Sequence, residues 1–115
     1  MTKVEERFEA GDVKFELVDF FKPDEIFVEG TVMLSRARKM GIKPKQEMIK
    51  KLLENKHLLP EELKRFDIVL PGTVKRIGER KIKMISYLCH KGGNWVEGLG
   101  GVRYDWGENA RLLRA

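Results

Sequence analysis

Cysteine is almost absent. Cys89 is the only one in 115 residues, so no disulfide can form within the chain. A disulfide framework and a secretory origin are therefore disfavoured. Long apolar runs are missing too. No uncharged stretch approaches the roughly 20 residues that a membrane-spanning helix needs. The first twenty residues carry Lys3, Glu5, Glu6, Arg7, Glu9, Asp12, Lys14, Glu16 and Asp19, a composition that excludes a signal peptide. These absences point to a soluble, reducing, cytoplasmic setting with no membrane partner. Amides are scarce: Gln46 is the single glutamine, and asparagine occurs only at 55, 94 and 109. With abundant Lys, Arg and Glu, this leans toward a thermophilic source.

Charge is what the chain has in excess. Charged residues make up 36% of it and the net charge is +5, well above the usual quarter for the first figure. Residues 1–21 sum to −3, while residues 22–59 and 60–115 each sum to +4. The densest basic segment is 36–51, with Arg36, Arg38, Lys39, Lys43, Lys45, Lys50 and Lys51 against Glu47 alone.

The chain changes its pattern at Pro60. Before it, apolar residues recur at helical spacing; after it, short alternating runs are broken by glycine. Residues 1–11 are polar and expected to fray. Val13, Phe15 and Leu17 alternate with Lys14 and Glu16, which predicts a strand running toward Phe21. Lys22-Pro23-Asp24 is turn chemistry. Residues 25–29 read either as a helix start or as a second strand completing a hairpin, with the strand favoured by Ile26, Phe27 and Val28 before Gly30.

Gly30-Thr31 can cap a helix whose face is Met33, Leu34, Ala37 and Met40, stopped by Gly41. Pro44 suits the first turn of a second helix, with Met48, Ile49, Leu52 and Leu53 as its apolar stripe. Leu59 to Leu63 begins a short third helix, with Pro60 at its start. Strands are expected at 67–70, 73–74, 81–88, 95–99 and 102–106, with Ala110 to Arg114 closing the chain. Gly92-Gly93-Asn94 makes a hairpin loop, and the Gly98 to Gly101 stretch reads as a turn. The expectation is one α+β domain over residues 1–115. It has an N-terminal β-hairpin and a basic helical half (12–59), then a β half (60–115). That β half is an antiparallel SH3-like barrel or a strongly bent sheet.

Several pieces, taken in order, resemble a family of small uncharacterised bacterial proteins. They are Met33-Leu34 with Arg36-Ala37, Leu52-Leu53-Glu54, and Leu59-Pro60-Glu61-Glu62-Leu63. Leu70-Pro71-Gly72-Thr73-Val74, Trp95 and Arg111-Leu112-Leu113-Arg114 follow. The likeness covers roughly residues 28–114. It departs at Leu70, where the family has an aromatic residue, and at Lys75, where it tends to have Trp. The resemblance implies the architecture and carries no activity with it.

No constellation of side chains points to an enzyme, a metal or a cofactor. Cys89 and His90 are strand neighbours and so point to opposite faces, which prevents a nucleophile–base pair. With His57 they also lack metal-ligand spacing. Asp67, Asp105, Glu61 and Glu97 show no paired-carboxylate pattern. The glycine stretches lack the strand–loop–helix setting and the Lys-Ser/Thr of a phosphate loop.

What is left is a binding module. The leading expectation is nucleic acid at a helix-turn-helix-like pair bearing Arg36, Arg38, Lys39, Lys43, Lys45, Lys50 and Lys51. A second basic cluster, Lys75, Arg76, Arg80, Lys81 and Lys83, offset by Glu79, offers a way to track a single strand. Set against both is the plain reading: a solvated helix face for the first and edge lysines that block sheet pairing for the second. The alternative function is a protein-interaction or self-associating module, with Trp95, Tyr104 and Trp106 lining an aromatic groove. Those three also read as core.

Overall fold

The computed structural model describes residues 3–43 and 46–115. Its main element is a six-stranded sheet of β1 (Lys3–Ala10), β2 (Val13–Asp19), β4 (Asp67–Ile77), β5 (Ile82–Lys91), β6 (Asn94–Gly101) and β8 (Ala110–Arg114). The spatial order is β1-β2-β8-β4-β5-β6. A small ribbon pairs β3 (Phe27–Glu29) with β7 (Asp105–Gly107). Two helices complete the fold, α1 (Gly30–Lys39) and α2 (Gln46–Glu54), with short 3-10 turns at Lys56–Leu58 and Glu61–Arg65.

The last strand joins the two ends of the chain. β8 lies between β2, to which it is antiparallel, and β4, to which it is parallel. Strands from both sides of Pro60 therefore share one sheet. Helices or turns cover both faces of that sheet, and this explains its apolar doublets. Leu17, Ile68, Leu70, Leu88 and Leu113 face one side with Ile49 and Leu52 of α2. Val18, Val69, Ile85 and Leu112 face the other side with Met33 and Ala37 of α1. A strand buried on both faces loses its alternation and becomes a continuous apolar run. Leu17-Val18, Ile68-Val69-Leu70 and Leu112-Leu113 are all 0% exposed.

Several expectations are corrected. Residues 3–10 form an edge strand, turning into β2 through Gly11 and Asp12, both in the left-handed region. The N-terminal hairpin is thus β1–β2. The expected second strand does exist as β3, but it pairs with β7 across the molecule. The sheet does not close. Among the described residues it ends at β1 and β6, so the C-terminal half is part of an open mixed sheet, and closure into an SH3-like barrel is not found. The third helix is a 3-10 turn after Pro60, and the α1 N-cap is Glu29. Pro44, expected in a helical first turn, lies outside the described residues.

The stretch Gly98 to Gly101 is strand, not turn. The rings of Tyr87 and Trp106 lie where side chains at Gly98 and Gly100 would stand, with Tyr87 Cζ 2.7 Å and Trp106 Cη2 2.5 Å from the respective Cβ positions. Glycine is needed there for close approach. The true β5–β6 turn is Gly92-Gly93, both left-handed.

The expected strand 102–106 is interrupted. Tyr104 N donates to Gly101 O at 3.3 Å, a turn that leaves only Asp105–Gly107 extended. Tyr104 is consequently 71% exposed, whereas Trp106 is 7%.

Candidate nucleic-acid interface

The two basic helices do not form a pair. α1 packs on one face of the sheet and α2 on the other. At the start of α2, Gln46 Nε2 donates to Gly72 O of the β4 bulge at 3.3 Å. A helix-turn-helix surface is therefore not built, because the sheet stands between its halves.

The residues of the basic segment have different duties. Arg36 is half-buried and occupied. Its Nη1 and Nη2 donate to Glu25 Oε1 and Oε2 at 2.6 and 2.8 Å, and Nη1 also donates to Phe20 O at 2.9 Å. It clamps the 20–25 loop to α1. The Arg36 guanidinium, with the Lys22 amide, holds the Glu25 carboxyl down from 4.5 to about 2. Arg38, Lys39 and Lys43 are exposed on the α1 side. Lys50 and Lys51 are exposed on α2, where Lys50 Nζ stands 4.0 Å from Glu54 Oε1. Lys45 lies outside the described residues.

The second basic cluster lies on the outer part of the β4–β5 hairpin. Beyond Leu70, β4 and β5 stay paired with register Val74↔Ile85 and Lys75↔Met84, where β6 still lines β5, and run on as a two-stranded arm at Arg76↔Lys83 and Ile77↔Ile82. Every residue from Val74 to Lys83 is exposed. Arg76 and Lys83 stand directly opposite each other, a like-charge pair that costs stability unless an anion answers it.

At the foot of the arm the 101–104 turn is tied in: Val102 N donates to Lys83 O at 3.1 Å. Between arm and turn opens a cavity of about 540 Å³, lined by Thr31, Arg80, Lys81, Ile82, Lys83, Gly101, Val102, Arg103 and Tyr104. Four of these are cations, none is a carboxylate, and among the described residues none of the four cations makes an ion pair. Acids adjoin the lining without entering it, Glu79 before Arg80 and Asp105 after Tyr104, and Thr31 Oγ1 donates to Glu29 Oε1 at 2.8 Å.

The three aromatic candidates are separated. Trp95 is buried on the α2 face, edge-on to His90 with ring centroids 5.5 Å apart. Trp106 is buried on the α1 face, edge-on to Tyr87, and its Nε1 donates to Gly101 O at 3.3 Å. Tyr104 alone is free. No groove joins them, since the sheet lies between the tryptophans.

Sequence reasoning missed Arg103 and the exposure of Tyr104. The signal is Gly100-Gly101 before them, which reads as a turn from sequence and serves as the seat of a ring. Among the described residues no group of three or more His, Cys, Asp or Glu side chains is placed to hold a metal ion. No helix of the described residues is long and apolar enough to cross a membrane. Comparison with protein-family models, curated proteins and solved structures finds no match to this chain.

Proposed function

We propose that this protein is a non-enzymatic, cytoplasmic binding module that contacts nucleic acid. Its site is the β4–β5 arm and the 101–104 turn, not the helices. The supporting observation is the cavity at the arm's foot, where Arg80, Lys81, Lys83 and Arg103 converge without a carboxylate in its lining. Four cations held close together on a strand pair and a turn repel one another. They are best answered by a chain of phosphates, whose counterions they release.

The likeness of residues 28–114 to the small bacterial family belongs to the same proposal and adds no activity to it. A second reading keeps one observation of its own. Ile26 and Phe27 are 62% and 61% exposed side by side, a patch suited to a protein partner or a second copy.

Anisotropy titration of a labelled oligonucleotide at several salt concentrations tests the first reading. Four phosphate contacts predict a slope of log K against log salt of about −3 for a single strand. Absence of binding at low salt would sink it. Light scattering of wild type and Phe27→Ser tests the second reading.

A further inference from the structure

We infer that the nucleic acid taken here is single-stranded, and that one of its unpaired bases stacks on Tyr104. The inference rests on the nucleic-acid reading above and narrows it.

Tyr104 lies in the lining of the cationic cavity, yet among the described residues it is the most exposed large hydrophobic side chain, at 71%. An exposed aromatic ring with no fixed seat would be an ordinary surface residue. This one is seated. The Cδ2–Cε2 edge of its ring occupies the place where a side chain on Gly101 would stand. Its backbone is fixed from both sides: its N–H donates to Gly101 O at 3.3 Å, and its carbonyl accepts from Gly30 N at 3.0 Å. The ring is thus seated against Gly101 of β6, on a backbone tied to the start of α1, while most of it meets solvent.

The chemistry on either side selects the ligand. The cations supply contacts for phosphates, and the ring supplies a π-face for a base. Together they are the two components by which single strands are bound without sequence readout. A duplex stacks its bases on each other and shows only their edges in the grooves. It would satisfy the cations and leave the ring unused. A polyphosphate would do the same.

The test compares labelled dT12, an abasic 12-mer of the same charge, and the dT12·dA12 duplex, by anisotropy at low salt. Wild type should prefer dT12 to the abasic strand. Tyr104→Ala should weaken dT12 by roughly 5- to 100-fold and leave the abasic strand unchanged, whereas Tyr104→Phe should keep the preference. A circular-dichroism melt confirms that both variants fold. Equal binding of dT12, abasic strand and duplex overturns the inference and leaves the charge reading standing, as does indifference of dT12 to Tyr104→Ala. Failure of all three probes to bind overturns the nucleic-acid reading itself.

Discussion

The inner and outer halves of the β4–β5 hairpin use the same pairing for opposite ends. In the inner half, Ile68, Val69, Leu70, Ile85 and Leu88 are all 0% exposed, packed from both faces by α1, α2 and the turns. In the outer half, Val74, Ile77 and Ile82 are 43%, 45% and 54% exposed, and the remaining positions are largely cationic. The boundary is the Pro71–Gly72 bulge. There Thr73 Oγ1 donates to Leu70 O at 2.6 Å and accepts from Ser86 N at 3.3 Å. The inner half is a core element and holds the protein together. The outer half contributes little burial and is free to be chosen for charge. Stability and binding should therefore separate along a single hairpin.

The largest expected difference lies in the hydrophobic residues. Ile68→Ala should cost about 2–5 kcal/mol in denaturant melts, while Ile77→Ala should fall within about 0.5 kcal/mol of wild type. Equal losses would mean that the arm is packed and not free. Next comes Gly100→Ala on the neighbouring strand. A methyl there meets the Trp106 ring, so the change should destabilise by about 1–3 kcal/mol with a shifted tryptophan emission.

The converse pattern is expected for the charges. Reversing Arg80, Lys83 and Arg103 to Glu should abolish oligonucleotide binding at low salt while leaving the denaturation midpoint nearly unchanged. Arg36→Glu should do the opposite, because it breaks the Glu25 clamp. Lys81 sits in the left-handed region at φ 51°. Lys81→Gly should raise stability by roughly 0.5–1 kcal/mol and weaken binding.

The smallest effect concerns pH. Glu25 titrates near 2 when folded and near 4.5 otherwise. Its contribution is complete above about 4.5 and is lost as pH falls toward 2. Glu25→Gln should remove that part of the acid limb, read as a smaller drop in Tm between these pH values.

How much of this was legible follows the same division. The helices were readable because each has one apolar stripe, Met33 and Ala37 in α1 and Ile49 and Leu52 in α2. Strand 67–70 was readable from its apolar run, whereas 110–114 was not expected as a strand; the doublets of both carried a further message. Leu112-Leu113 and Ile68-Val69-Leu70 meant burial on both faces, and two covered faces argue for a layered sheet against a barrel. Pairing was not legible. That β8 joins β2 to β4, and that β3 crosses to β7, depends on packing between distant segments.

The basic cluster on the arm was visible as a cluster. Its meeting with Arg103 and Tyr104 was not, because the 101–104 turn is set by a bond from Tyr104 N to Gly101 O and not by any local run. The basic helices misled for a related reason: segment 36–51 is dense in charge along the chain, but the sheet divides it in space.

Amide chemical-shift mapping with unlabelled dT12 tests the central claim most directly. The account predicts perturbations grouped at residues 76–83 and 101–104, growing with oligonucleotide and vanishing in high salt, with α2 unmoved. Perturbations centred on Lys39, Lys43, Lys50 and Lys51, with the arm silent, would contradict it.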